Sequence, residues 1–449
     1  MKRRDFSRSL AAAAAAAAVA AVAALPVTPA GARQARPARR SPRVNGERLN
    51  GWLTAIGEFG KNPQGGVTRL AYGDADLAAR AYTMQLMRDA KLAVAIDAAG
   101  NIFGKRAGID PSAKPIIFGS HVDSVPEGGN YDGNVGTLGA IEVARTLDEH
   151  RVATRHPLWV ACWQNEEGGT WGSHLVTAGV TPAELATVAR SGKSIGDGMQ
   201  VLGGNRDQLA GARLHRGDVH GYLELHIEQG GNLDREKLDI GIVEGIVCLR
   251  EWDVTIEGFA NHAGTTAMAD RHDAMLAAAR FTEMVNRVVT GEPGRQVGTV
   301  GRMQAFPGAP NVVPGKVACT LELRDLDDHK VQRLYDTIAA EAAKIGAMNG
   351  TSFAFHEFVS HESALCDERV RALIGASAHA LGFSTRSLPS GAGHDAQNLA
   401  RVCPMGMIFI PSVDGISHSP REYSRPRDIT NGADVLLGAV LSMDAAPLG

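Results

Sequence analysis

At 449 residues, with 44% hydrophobic and 21% charged residues, the chain is too long for one ordinary core, so two domains are expected and neither disorder nor a membrane protein is indicated. The formal charge of −3 hides an asymmetry: residues 1–45 carry nine Lys and Arg against one acid, leaving 37 bases against 48 acids in the remainder. An acidic body excludes nucleic acid as its partner.

Arg3-Arg4-Asp5-Phe6, an Ala-rich stretch from Leu10 to Leu25 and Ala30-Gly31-Ala32 read together as a twin-arginine signal peptide over residues 1–32. The Ala-rich stretch falls short of the roughly 20 strongly apolar residues of a membrane span, so no stable membrane insertion is expected. Export follows as the expectation, with a periplasmic or extracellular destination. Residues 33–44 read as a flexible basic lead-in. Cys162, Cys248, Cys319, Cys366 and Cys403 form no CxxC pair and read as buried free thiols.

The body opens with helical patterning, since Leu49, Trp52, Leu53 and Ile56 recur at helix spacing, as do Ala78, Ala81, Tyr82, Leu86 and Met87. Strands are predicted at Leu92–Ile96, Asn101–Gly104, Pro115–Gly119 and Pro157–Trp163, with a helix over Gly136–Leu147. That alternation predicts an α/β catalytic domain with a central, largely parallel sheet. From about Glu251 the order becomes β-α-β-β-α-β: strand Trp252–Phe259, helix Asp273–Val289, strands Val297–Ala305 and Lys316–Arg324, helix His329–Ile345, strand Ser352–Phe358. This is the split βαβ, ferredoxin-like arrangement of an inserted α+β domain. Residues 250–362 are therefore expected to interrupt a first domain made of 45–249 and 363–449. The α/β pattern resumes with helices near Val370–Leu381 and Ala396–Ala400 and the strand Met405–Ile410.

Metal-competent residues gather at strand ends. His121 and Asp123 follow Ile116-Ile117-Phe118, and a glycine-rich loop then brings in Asp132. Glu166-Glu167 follows the strand ending at Trp163, His226 lies where Tyr222-Leu223-Glu224-Leu225 runs out, and His418 sits in the loop after Met405–Ile410. Ligands of open α/β sheets bind beyond the carboxyl ends of the strands. Imidazole and carboxylate are ligands for zinc-like cations. Three histidines and two carboxylates make five donors. If Asp132 bridges, each of two cations has three protein ligands and an open position, and water held between them is a nucleophile at neutral pH. One glutamate of the pair binds metal while the other serves as base. Asp123 suits the acceptor of the ligand imidazole's other N–H.

The segments GSHVDSVPEGGNYDG, QNEEGG, ELHIEQG, GFANHAGTTAM, NVVPG, SGAGHDA and ISHSP resemble, in order from about residue 45 to 445, the amidase, hydantoinase and carbamoylase family of dinuclear metal hydrolases. That family is kin to zinc aminoacylases and carboxypeptidases. The resemblance implies an amidohydrolase cleaving a carbamoyl or ureido C–N bond, with N-carbamoyl-L-amino acid hydrolases, allantoate amidohydrolases and β-ureidopropionases as models. It makes His121, Asp132, Glu167, His226 and His418 the ligands of two divalent ions (zinc, with manganese, cobalt or nickel as alternatives) and Glu166 the general base. It further implies that His262 stabilises an oxyanion, that Asn311 and Arg324 hold a substrate carboxylate, and that Gln229 touches substrate. The inserted domain becomes a lid and dimerisation domain of a homodimer. An ion pair with Asp325 or Asp327 is the competing reading of Arg324, and His394 either touches substrate or orients its loop. Ala267 stands where relatives commonly have Pro, so a stiffening residue near His262 is absent. A dinuclear aminoacylase or dipeptidase is the nearest rival function. A non-catalytic metal or ureide binder is a second rival, disfavoured because binding alone needs no Glu166.

Overall fold

The computed structural model describes residues 42–448. The expected leader and most of the basic lead-in lie outside the described residues. The last of the lead-in is already part of the fold: Arg43 pairs with Asp434 at 2.8 Å, and the main-chain N–H of buried Val44 donates to the same carboxylate.

Six strands come first: β1 (Ala93–Ile96), β2 (Ile102–Arg106), β3 (Ile116–His121), β4 (Leu158–Trp163), β5 (Gly221–Ile227) and β6 (Ile240–Ile246). The next six are β7 (Cys248–Glu257), β8 (Asn261–His262), β9 (Val297–Phe306), β10 (Val312–Val313), β11 (Lys316–Asp325) and β12 (Ser352–His361). Last are β13 (Ala364–Leu365), β14 (Thr385–Ser390) and β15 (Met405–Ile410). The central sheet runs β1-β2-β4-β3-β5-β15-β6-β13, with β14 also paired to β6. Its middle is parallel, because β3 pairs that way with β4 and β5, and β5 with β15. Antiparallel pairs flank this middle at β1, β2, β6 and β13.

Side-chain alternation along these strands divides the interior into two cores. Ile116 and Phe118 of β3 enter one, with Leu223, Leu225 and Ile227 of β5 and residues of the helices Asn134–Glu149 and Pro426–Ala445. Ile117 of β3, Tyr222 of β5 and Phe409 of β15 enter the other. Burial on both faces explains why the parallel strands read as continuous apolar runs. The helix Asn134–Glu149 comes close to the sheet at Gly136, where an added Cβ would lie 2.2 Å from the carbonyl oxygen of Leu225.

The residues between β6 and β13 build a separate four-stranded antiparallel sheet in the order β12-β7-β11-β9. The helices Ala274–Gly291 and Asp328–Asn349 supply the remaining side chains of its core. Alternation is clear here: Trp252, Val254 and Ile256 of β7 and Val317, Cys319, Leu321 and Leu323 of β11 face the helices. Trp252 stacks on Tyr335 with ring centroids 4.5 Å apart. The first strand begins earlier than its apolar pattern predicts, at Cys248, and Phe259 lies beyond its end, exposed. All five cysteines are buried free thiols. Among the described residues, no helix is long and apolar enough to cross a membrane.

A candidate metal centre at the carboxyl ends of the sheet

Because β4, β3, β5 and β15 run parallel side by side, their carboxyl ends share one edge, and His121, Glu166, Glu167, His226 and His418 gather there. His121 is the last residue of β3 and fully buried. Its Nδ1 lies 3.1 Å from the main-chain carbonyl of Asp123, and Nδ1 of His226 lies 2.9 Å from that of Ile227. A carbonyl only accepts, so in both rings Nδ1 carries a proton and Nε2 is the atom left to face Asp132. Among the described residues, both Nε2 atoms are buried without a hydrogen-bond partner. They lie 3.5 and 3.0 Å from Oδ1 of Asp132. The other oxygen of Asp132 is 3.3 Å from Nε2 of His418, which in turn is 3.5 Å from Oε2 of Glu167.

Among the described residues two ligand triads share Asp132, His121–Asp132–His226 and Asp132–Glu167–His418, and a third group, Glu224–His226–His394, shares His226; the ligand atoms of each lie within 4.8 Å of one another. One oxygen of Asp132 faces each triad. Imidazole Nε2 atoms orphaned beside carboxylate oxygens fit zinc-like divalent cations. Gly133 makes this packing possible: its φ is +65°, and a Cβ there would lie 2.4 Å from the His121 ring. Asn165, Gln229 and His418 also have left-handed φ, between 51° and 57°. Strained backbone of this kind persists where surrounding structure enforces it.

The electrostatics call for positive charge. Burial pushes the Glu166 carboxyl well above the ordinary carboxylate range, with neighbouring Glu167 adding to it and His121 opposing. Burial likewise lifts Glu167 to about 7, helped by Asp132. His418 is raised to about 9, first by its contact with Asp132. Burial would raise Asp132, but the facing His226 and His121 hold it well below its usual value. Glu166 is the one carboxylate of the Glu pair outside both triads, with Oε2 3.6 Å from Nε2 of His121.

Asp123 does a different job from the one its spacing suggests. Its carboxylate is 3.8 Å from Nδ1 of His121 and instead accepts the main-chain N–H groups of Glu166 and Glu167, each at 3.2 Å. Its carbonyl, not its carboxylate, takes the imidazole proton. Gln229 donates to Asp132 Oδ2 at 2.7 Å, so it reaches the centre itself. A cavity of about 460 Å³ opens beside Gln229 and His418, with Ser417, Gly391 and Ala392 in its wall. His394 is buried against His226, ring centroids 4.5 Å apart, and its Nε2 lies 2.7 Å from Oγ of Ser390.

The remaining expected residues lie on the second sheet's unit. Arg324 pairs with Glu322 at 2.8 Å, not with Asp325 or Asp327, and its Nη1 donates to the carbonyl of Gly391 in the cavity wall. His262 and Asn311 are exposed neighbours: the carbonyl of Asn311 accepts from Ala263 N–H, and β8 pairs with β10. Nδ1 of His262 accepts the N–H groups of Gly264 and Thr265, which leaves its proton on Nε2. Among the described residues, neither His262 nor Asn311 has a hydrogen bond to the triads.

Sequence reasoning misses two buried carboxylates. Glu224 accepts from Ser120, Tyr222 and the Ala396 N–H beneath His226. Strand alternation carries the signal, since Tyr222, Glu224 and His226 share a face of β5. Glu422 accepts the N–H groups of Tyr131 and Asp132 on one oxygen, and Ser417 Oγ and the His418 N–H on the other. Its only signal is nearness to His418 in sequence.

The model of peptidase family M20/M25/M40 matches residues 117–442. The chain belongs to that family. Similar to the chain is an N-carbamoyl-L-amino acid amidohydrolase of Geobacillus stearothermophilus, 39% identical over 402 residues, spanning 88% of this chain and 98% of the relative. An allantoate amidohydrolase of Bacillus subtilis is 33% identical, covering 86% of this chain and 95% of its own length. A crystal structure of a hydantoinase/carbamoylase family amidase from Burkholderia multivorans superposes with a TM-score of 0.83 at 36% identity, covering 90% of this chain and 99% of that one. The M20 chain is a hydrolase of carbon–nitrogen bonds other than peptide bonds.

Proposed function

We propose that this chain hydrolyses a carbamoyl or ureido C–N bond of a small carboxylate-bearing substrate, an N-carbamoyl-L-amino acid or an allantoate-type ureide. The observation that carries the reading is the pair of triads sharing Asp132, with unpartnered Nε2 atoms of His121 and His226 aimed at it. In this reading His121, Asp132, Glu167, His226 and His418 hold two divalent ions, zinc first among them. Bound there, such ions supply Lewis acidity and lower the pKa of a water to about 7.

Glu166, buried and unligated, takes the proton of the attacking water and delivers it to the leaving nitrogen as the C–N bond breaks. The Nε2–H of His262 supplies a donor for the carbonyl oxygen on which charge develops. Arg324 and Asn311 orient the substrate carboxylate, for which a guanidinium fork and an amide are matched partners. His262 and Asn311 belong to the unit over residues 250–362, so the reading requires that unit to act as a lid. The exposed edge strand β9, with Val297, Met303 and Phe306 at its surface, supports pairing of two such units in a homodimer. The Arg3-Arg4 leader supports export, and cell fractionation with an R3K/R4K variant tests it.

Protein stripped and reloaded with zinc, manganese, cobalt or nickel is expected to release ammonia from N-carbamoyl-L-amino acids or allantoate. Cleavage confined to dipeptides or N-acyl-amino acids would replace this reading with an aminoacylase or dipeptidase.

A further inference from the structure

The two triads are built on different foundations. His121 and His226 lie in β3 and β5, whose hydrogen bonds with neighbouring strands fix them. Asp132 and His418 lie in loops, and the side chain of His418 is 48% exposed on a residue with φ +53°. The Asp132–Glu167–His418 position therefore needs a support that the sheet does not provide.

Glu422 is placed to be that support. Its carboxylate is buried, with Oε1 accepting the N–H of Tyr131 at 2.9 Å and of Asp132 at 3.1 Å. Oε2 accepts Ser417 Oγ at 2.9 Å and the N–H of His418 at 3.2 Å. Four donors match the acceptor capacity of one carboxylate. They come from two loops nearly 290 residues apart in the chain, each carrying one ligand of the same triad. Gly129 lets the carboxylate lie against the first loop, since a Cβ there would fall 2.2 Å from Oε1 of Glu422. No hydrogen bond of Glu422 reaches His121 or His226.

We infer that Glu422 is a positioning residue that acts first on the Asp132–Glu167–His418 cation position, both of whose loop-borne ligands it holds, and less on the His121–Asp132–His226 position, which shares Asp132 but takes its other two ligands from the sheet. The inference rests on the two-cation reading above. It predicts unequal damage. In E422Q one carboxylate oxygen becomes an NH₂ donor facing donors, so one loop is released.

Metal-free full-length protein titrated with Zn²⁺ by calorimetry, with bound metal counted after dialysis, tests this. Wild type is expected to take two ions per chain. E422Q is expected to bind one ion about 10- to 100-fold more weakly, the usual cost of losing a residue that orients a ligand, and the other, which shares Asp132, with a clearly smaller loss. E422D and G129A, which draw back or displace the carboxylate and keep its charge, are expected to weaken the same ion, and they carry the test should E422Q not fold. Two ions bound at wild-type affinity in these variants, or equal weakening of both, would overturn the inference. A wild type that takes fewer than two ions would instead remove the two-cation reading, and the inference with it.

Discussion

A buried imidazole takes its tautomer from whatever faces Nδ1, and in His121 and His226 that is a main-chain carbonyl. Two Nε2 atoms are thereby turned toward one carboxylate by backbone geometry. Glu166 stands beside them and outside both triads, so its replacement separates chemistry from binding. E166Q is expected to lower turnover by ~10²–10⁴-fold while the metal content of the reloaded protein stays at the wild-type level; turnover close to wild type would remove Glu166 as the base. Asp123 acts through the chain that carries both glutamates. D123A strands two buried N–H donors and is expected to cost ~1–3 kcal/mol of stability, read by denaturant unfolding, together with a fall in kcat. An unchanged midpoint would show that water replaces the carboxylate. His121, Asp132, Glu167, His226 and His418 are legible in the sequence because each lies at a strand end or in the loop just beyond it. Glu422 and the donors that the Asp123 carboxylate accepts are not, because these roles consist of hydrogen bonds from main-chain N–H groups that no residue pattern specifies.

At the scale of elements, legibility follows how cleanly each face is buried. The four long strands of the second sheet bury one face on two helices, and their period-2 pattern reads directly. β6 and β14 read poorly: Gly241 and Gly245 dilute the first, and Pro389 sits in the second beside a register shift between Leu388 and Ser390. The helix Pro426–Ala445 is continuous but buried around much of its circumference, with Gly432 and Gly438 interleaved among its apolar residues. The loop after His262 offers a test of stiffness. Ala267 has φ −58° and ψ 149°, a conformation proline adopts, and its N–H donates to no group among the described residues. A267P is expected to raise stability by ~0.4–1 kcal/mol by restricting the unfolded chain, seen as a higher Tm; a lower Tm would show strain at Thr266.

Across the whole molecule, the end of the chain is fastened to the sheet through a pair of stacked imidazoles. The rings of His156 and His220 lie 4.0 Å apart, and Nε2 of His220 is within 3.2 Å of the carbonyls of Met443 and Ala446. Lys114 offers its carbonyl to His156, while Asp444 accepts the His156 and Arg155 N–H groups and Arg155 in turn reaches Asp110. Burial, then the neighbouring His156, lowers the pKa of His220 below 6.5. The native state therefore binds this proton less readily than the unfolded chain. The associated stability is present above pH 6.5 and is lost as pH falls through the native value. Tm measured from pH 7.5 down to pH 5 is expected to decline, with a shallower decline in H220Q; parallel slopes would assign the loss elsewhere.

The position of β15 bears on how the chain is made. Residues 405–410 lie between β5 and β6, two strands complete by residue 246. A ribosome releases those two strands long before it reaches the one that separates them. Until then each offers an open, apolar edge able to pair with the other or with another nascent chain. Folding must therefore hold a gap in the sheet from residue 246 until residues 405–410 emerge, and close it only then.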